Sequence, residues 1–213
     1  MKIRGYYAIL DATPALLEDD AALAAQARRL LSGAPSVLQL RAKQAGARAM
    51  LRAARRVLPL CREYGVPFCV NDRLDVALAA GADVVHLGQD DLPLADALRI
   101  RSELGRPDLV VGFSTHNREQ AVAAAAEGAD YIGFGPVFAT TSKLNPDPVV
   151  GLDALAQVCR AVSVPVVAIG GVALFNVPAV AGAGAAAVAL ISAIAAATDP
   201  AAAGREVNAA FSL

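Results

Sequence analysis

Short apolar runs rich in β-branched residues alternate along this chain with longer alanine-, leucine- and arginine-rich runs of helical spacing. Eight of the short runs read as strands: Tyr6 to Leu10, Val37 to Arg41, Pro67 to Val70, Val84 to Leu87, Leu109 to Phe113, Tyr131 to Phe134, Pro165 to Ile169 and Ala187 to Leu190. Each is followed by a stretch of helical spacing. In the clearest, Ala47 to Tyr64, Leu51, Ala54, Val57, Leu58 and Cys61 form one i, i+3, i+4 stripe, and Arg48, Arg52, Arg55 and Arg62 fall mostly elsewhere. Glycines punctuate the returns to the next strand: Gly65, Gly81, Gly105 and Gly128 stand where helix C-caps are expected.

A strand and a helix repeated eight times within 213 residues fit an α/β fold of (β/α)8 TIM-barrel type near its minimum size, one domain over residues 1–213. A doubly wound open sheet is the main competitor. From Ala161 to Thr198 no residue is charged, which by hydropathy alone suggests a membrane span. Pro165, Pro178 and several glycines cut that run into pieces of strand or helix length, and alanine rather than leucine fills it. Buried parallel strands between short helices have the same composition.

Composition narrows the function classes. Hydrophobic residues make up 56% and charged residues 18%, and 19 basic groups nearly balance 20 acidic ones, so disorder is excluded. No Lys or Arg run offers a footprint for nucleic acid. The three cysteines, Cys61, Cys69 and Cys159, are an odd number without metal-ligand spacing and read as reduced thiols. The N-terminus carries no secretory pattern, so a cytoplasmic protein is expected.

In a barrel of this kind the active site is built at the C-terminal ends of the strands. Strand two ends in Gln39-Leu40-Arg41-Ala42-Lys43, where alternation turns Gln39, Arg41 and Lys43 to one side. Of the 19 basic residues only Lys2, Lys43 and Lys143 are lysines, and two of those lie at predicted strand-end loops, where a compact ammonium suits a phosphate oxygen. Strand three ends in Asn71-Asp72 and strand four in His86-Leu87-Gly88-Gln89-Asp90-Asp91. Asp72 with Asp90 or Asp91 could share a magnesium ion, and Asp90 or Asp91 could instead cap the helix beginning near Pro93. Strand five runs into Ser114-Thr115-His116. Strand six is followed by a polar loop with Thr140, Ser142 and Lys143, fit to wrap a phosphate. Gly170-Gly171 after strand seven and Ile191-Ser192 after strand eight stand where such barrels cradle phosphate. The set is rich in anion-binding groups and shows no obvious nucleophile with a paired base.

Taken in order, these segments resemble thiamine phosphate synthases over nearly the whole chain. The resemblance is carried by Gln39 to Lys43, Asn71-Asp72-Arg73, His86 to Pro93, Gly112 to His116, Gly133 to Phe138, Thr140 to Lys143, Ala168 to Val172 and Ile191 to Ile194. It implies a transferase that joins 4-amino-5-hydroxymethyl-2-methylpyrimidine diphosphate to 4-methyl-5-(2-phosphooxyethyl)thiazole, giving thiamine phosphate and pyrophosphate with Mg2+ as cofactor. It further implies that Gln39, Arg41, Lys43 and Asn71 hold the pyrimidine diphosphate, that Asp72 and Asp91 bind magnesium, and that Asp90 is the less fitting ligand. Ser114 and Lys143 would contact pyrophosphate, Thr140 and Ser142 the thiazole substrate or pyrophosphate, and Gly171, Ile191 and Ser192 the thiazole phosphate. Arg41, Lys43, Ser114 and Lys143 would stabilise the departing charge. His86 either borders the pyrimidine pocket or is a buried, hydrogen-bonded histidine, and His116 has no assigned role. The partners implied are two small molecules and a second copy of the chain in a homodimer, with neither nucleic acid nor membrane.

The sequence departs from the family pattern in three places. Ala139 stands where proline is usual, Gln44 and Ala45 follow the strand-two lysine where an acid is common, and Val172 to Asn176 is less polar than usual. Two other readings compete: a thiazole tautomerase-like isomerase, which would call for a histidine after strand six that this sequence lacks, and a barrel that binds thiamine precursors without catalysis.

Overall fold

Residues alternate inward and outward along each strand, and in β1 (Gly5–Asp11) this sends Tyr7 into the barrel while Tyr6, Ala8 and Leu10 face the helices. The computed structural model describes residues 1–140 and 147–212. Its strands β1, β2 (Val37–Arg41), β3 (Phe68–Asn71), β4 (Val84–Leu87), β5 (Val110–Thr115), β6 (Tyr131–Phe134), β7 (Val166–Ala168) and β8 (Ala187–Leu190) close into one parallel barrel in sequence order. Ala8 of β1 stands opposite Leu38 of β2 on one side and Leu190 of β8 on the other, which completes the ring. The open-sheet competitor is thereby excluded.

The surrounding helices are α1 (Pro14–Glu18), α2 (Asp20–Leu31), α3 (Ala47–Tyr64), α4 (Leu74–Ala80), α5 (Leu94–Glu103), α6 (Arg118–Glu127), α7 (Gly151–Ala161), α8 (Val177–Gly182), α9 (Ser192–Ala195) and α10 (Pro200–Ala210), with a 3-10 turn at Leu174–Asn176 before α8. Helix α3 has the limits that its apolar stripe predicts, and its C-cap Gly65 takes the left-handed conformation with φ of 66°. The uncharged stretch near the C-terminus resolves into β7, the 3-10 turn, α8, β8 and α9. Among the described residues no helix is long and apolar enough to cross a membrane.

Burial divides into two layers. Leu38, Leu40, Phe68, Val85, Ile132 and Leu190 pack outward against the helices, whereas Val37, Cys69, Val84, Tyr131, Val167 and Ala187 join Tyr7 inside the ring. Strands covered on both faces read as continuous apolar runs, which is why they were visible without alternation of charge. The three cysteines are unpaired, and burial pushes the thiols of Cys61 and Cys69 up to about 12 and that of Cys159 up to about 11. Raised in this way, the thiols stay protonated at neutral pH.

Strands β1, β3, β5 and β7 differ from expectation by one or two residues at their ends, and two of these shifts bear on the site. Strand β5 extends to Thr115, because Ser114 pairs with Gly133 and Thr115 with Phe134, so Ser114 is a strand residue held in register rather than part of a loop. Strand β7 stops at Ala168, before the left-handed turn at Gly170 (φ 82°) bends the chain away.

Candidate active site

The C-terminal ends of the strands surround a cavity of about 1020 Å³. It is lined by Gln39, Arg41, Lys43, Asn71, Asp72, Asp91, Ser114, Thr140, Gly171, Ile191 and Ser192, together with Tyr7, His86 and Tyr131. Every expected site residue within the described part of the chain is therefore at one cavity. Ser142 and Lys143 lie outside the described residues.

Strand β2 supplies a gradient of depth. Gln39 is buried, Arg41 half-buried and Lys43 exposed at the mouth, two residues apart each time and all on the inner face. Arg41 Nη1 lies 2.5 Å from Asp11 Oδ1 at the end of β1. Asp11 was not singled out by the sequence, where one carboxylate at a strand end looks like ordinary surface charge. Lys43 Nζ lies 2.7 Å from Asp72 Oδ2.

Asp72 has a left-handed backbone, φ 64°, a region that L residues other than Asn and Asp rarely enter. Its N–H donates to the carbonyl of His86 at 2.7 Å, which ties the turn after β3 to β4. Burial raises the Asp72 pKa; Lys43 opposes that shift, and the Asp91 carboxyl, within hydrogen-bonding reach, adds to it. Oδ2 of Asp91 accepts from Gly88 N–H at 2.7 Å. The capping role open to Asp90 or Asp91 is not used: α5 begins at Leu94 with Pro93 at its cap and no side-chain capping bond, because the Asp91 carboxylate is spent on the turn before it. Asp90 is exposed at the rim.

Among the described residues no group of three or more His, Cys, Asp or Glu could enclose a metal ion. Two facing carboxylates nevertheless fit one kind of cation. Magnesium is commonly held by one or two protein carboxylates and completed by water and substrate phosphate, whereas a structural zinc site needs a closed cage. The mutual repulsion of Asp72 and Asp91 is what a divalent cation between them would relieve.

The floor of the cavity is a continuous polar chain. Gln39 Nε2 donates to Tyr7 Oη at 3.0 Å, the hydroxyls of Tyr7 and Tyr131 lie 2.9 Å apart, Tyr131 Oη is 2.9 Å from His86 Nδ1, and His86 Nε2 is 2.8 Å from Ser114 Oγ. Desolvation pushes His86 down to about 4 and both tyrosines well above their ordinary value. The ring of Tyr131 fits only because position 112 has no side chain; a Cβ there would run into its phenol carbon and hydroxyl. The sequence showed neither tyrosine as a site residue, although both sit on inward positions of their strands.

The expectation of no nucleophile beside a base needs correcting in its geometry, since Ser114 and His86 are in direct contact. Chemically the expectation stands. A histidine held near 4 is a feeble base at neutral pH, and its second nitrogen faces a tyrosine hydroxyl rather than a carboxylate. His116 is placed differently: its Nδ1 donates to the carbonyl of Gly135 at 2.7 Å, and its Nε2 lies 3.5 Å from Asp147 Oδ2.

In the closed order of strands, β7 and β8 stand across the ring from β3 and β4. Gly171, Ile191 and Ser192 thus lie on the far wall from Asp72 and Asp91. Gly171 has φ of 67°, and a Cβ there would collide with the carbonyls of Phe138 and Ala139, so the segments after β6 and β7 approach closely only because of this glycine.

Comparison with known proteins agrees with this geometry. The family described as thiamine monophosphate synthase matches residues 6–194. A thiamine-phosphate synthase of Anaeromyxobacter dehalogenans is 53% identical over 187 residues, 88% of this chain and 82% of that protein. One from Methanocella arvoryzae is 47% identical over 186 residues, 87% of this chain and 86% of its own. A solved structure of a thiamine phosphate pyrophosphorylase from Pyrococcus furiosus superposes with a TM-score of 0.81 at 36% identity, over 97% of this chain and 95% of that one. With a closed eightfold barrel, a cavity at the C-terminal ends of its strands and matches spanning most of the sequence, this chain belongs to the thiamine monophosphate synthase family and is a transferase of the thiamine-phosphate synthase type.

Proposed function

We propose that the chain condenses 4-amino-5-hydroxymethyl-2-methylpyrimidine diphosphate with 4-methyl-5-(2-phosphooxyethyl)thiazole to give thiamine phosphate and pyrophosphate. The observation that carries this reading is the two-ended cavity. One wall offers Arg41, Lys43, Asp72 and Asp91, and the opposite wall offers Gly171, Ile191 and Ser192. Such a site suits two substrates that each bring phosphate, with their reacting ends meeting between.

In this reading the bond between the pyrimidine methylene carbon and the diphosphate oxygen breaks first, and its electron pair leaves with pyrophosphate. The electron-rich aminopyrimidine delocalises the resulting methylene cation. The thiazole nitrogen then donates its lone pair to that carbon, and the new C–N bond completes thiamine phosphate. The protein's task is to neutralise departing charge and to hold the two rings in line. Arg41, steadied by Asp11, and Lys43 stand at the diphosphate wall, and Lys143 is assigned the same duty from the loop after β6. Gln39 and Asn71 orient the pyrimidine, and Ser114 offers a hydroxyl to pyrophosphate. Thr140 and Ser142 are assigned to the thiazole substrate or the pyrophosphate. Asp72 and Asp91 would hold Mg2+, which when bound supplies a Lewis-acid charge against the diphosphate oxygens.

The test is product analysis with both phosphorylated precursors. Thiamine phosphate formed with one pyrophosphate per turnover supports the proposal. Conversion of a thiazole tautomer without pyrophosphate release supports the isomerase instead, and binding of precursors by folded protein without any product supports the non-catalytic reading.

A further inference from the structure

The floor of the cavity contains five polar side chains in one line, Gln39, Tyr7, Tyr131, His86 and Ser114, with successive contacts between 2.8 and 3.0 Å and the Cys69 thiol beside it. A tyrosine hydroxyl has one hydrogen to give, and a neutral imidazole has one N–H and one bare nitrogen. Such a line has only two consistent directions. If Tyr7 gives to Tyr131 and Tyr131 to His86 Nδ1, the imidazole proton is on Nε2 and points at Ser114 Oγ. If the line runs the other way, Ser114 gives to Nε2, Nδ1 gives to Tyr131, and Tyr131 gives to Tyr7.

Gln39 decides between them. Its amide nitrogen already donates to Tyr7 Oη at 3.0 Å and approaches Cys69 Sγ at 3.8 Å, and the Cys69 thiol gives its own hydrogen to the carbonyl of Val70 at 3.6 Å. In the second direction Tyr7 would accept from both Gln39 and Tyr131, and its own hydrogen would be left with the sulfur, a weak acceptor. In the first direction both tyrosine hydrogens meet an oxygen or a bare imidazole nitrogen, and only the Ser114 hydroxyl hydrogen is left over. All of these groups except Ser114 are buried, so a misdirected hydrogen cannot turn to water.

We infer that Tyr7 and Tyr131 are positioning residues: they lock His86 as the neutral Nε2–H tautomer, which donates to Ser114 and leaves the Ser114 hydroxyl hydrogen free to turn into the cavity toward an anion. The serine is thus a hydrogen-bond donor and not an activated nucleophile, which would need the reverse direction. The inference deepens the reading of Ser114 as a pyrophosphate contact and rests on it for its kinetic consequence.

The chain has two histidines, so ¹⁵N-labelled protein should give two imidazole patterns in a long-range ¹H–¹⁵N correlation spectrum. The pattern that persists in a His116→Asn variant belongs to His86. The expected result is a protonated Nε2 and a bare Nδ1 in the wild type; a protonated Nδ1 overturns the inference, whatever the protein's substrates prove to be. Kinetics supply a second arm. Tyr131→Phe should lower kcat/KM roughly 10-fold, mainly through kcat, as loss of an orienting partner behind a contact residue does. The same change in a Ser114→Ala background should cost less than about 2-fold, because the group it orients is gone. Equal losses in both backgrounds, in variants with unchanged thermal melting, would show that Tyr131 acts otherwise and refute the relay.

Discussion

Lys43 Nζ lies 2.7 Å from Oδ2 of Asp72 and so joins the ends of β2 and β3 at the mouth of the barrel. The ammonium partly offsets the cost of burying a carboxylate that a second acid, Asp91, also opposes. One cation and two acids lie within reach of each other here, and removal of any member upsets the others; under the proposed function they would receive a diphosphate accompanied by a divalent ion.

Asp72→Asn therefore should lower kcat/KM by roughly 100-fold or more while leaving melting nearly unchanged. Asparagine tolerates the left-handed backbone at φ 64°, so the loss is one of charge. Asp72→Val adds the strain of a β-branched residue there, and its stability should fall by about 1–2 kcal/mol in denaturant titration. Equal stability of the two variants would show that the turn does not constrain the residue.

Asp11→Asn should leave kcat near normal and raise KM for the pyrimidine diphosphate about 2- to 5-fold, in line with the up to about 1 kcal/mol that a partly exposed ion pair contributes. The reason is that Arg41 loses the partner holding its guanidinium at 2.5 Å. Steady-state kinetics with the thiazole phosphate saturating would settle the point, and an unchanged KM would dismiss Asp11.

Burial sets a pH dependence on stability. His86 drops from 6.5 to about 4 on folding, chiefly by desolvation, so between those values the unfolded chain binds more protons than the folded one. Its contribution is intact above 6.5 and is lost as the pH falls toward 4. Denaturant titrations at pH 7 and pH 4.5 should show the wild type losing about 2 kcal/mol more than His86→Asn over that interval. Parallel losses in the two proteins would mean that His86 is as free to charge in the folded barrel as outside it.

Gly112→Ala tests the space on which the polar floor depends. The added methyl would meet the Tyr131 phenol, which is fully buried and has nowhere to go. A stability loss of about 1–3 kcal/mol is expected from such overpacking, with turnover reduced in step as Tyr131 leaves His86. Wild-type melting and activity together would show that the barrel yields more easily than its packing implies.

The barrel was legible because its physics is written locally. Strands buried on both faces need apolar runs, α3 needs its stripe, and Gly65, Gly81 and Gly128 take left-handed conformations at helix ends where a glycine was expected. The polar residues that β2 brings to the cavity were legible because Gln39, Arg41 and Lys43 interrupt such a run at the strand end. Tyr7 and Tyr131 were not, because an aromatic inside an apolar strand reads as packing, and their partnership spans 124 residues that only ring closure brings together. Asp91 was legible as an acid at the right place, but its bond to Gly88 depends on a turn geometry that charge alone does not announce.

The most direct test of the proposed chemistry is the release of pyrophosphate from the pyrimidine diphosphate, followed with the thiazole phosphate present, first in magnesium and then with a chelator in excess. One pyrophosphate per thiamine phosphate is expected in magnesium and a collapse of both in the chelator, with Asp72→Asn behaving as the chelated wild type does. Turnover at the full rate in the chelator would contradict the metal-binding role of Asp72 and Asp91.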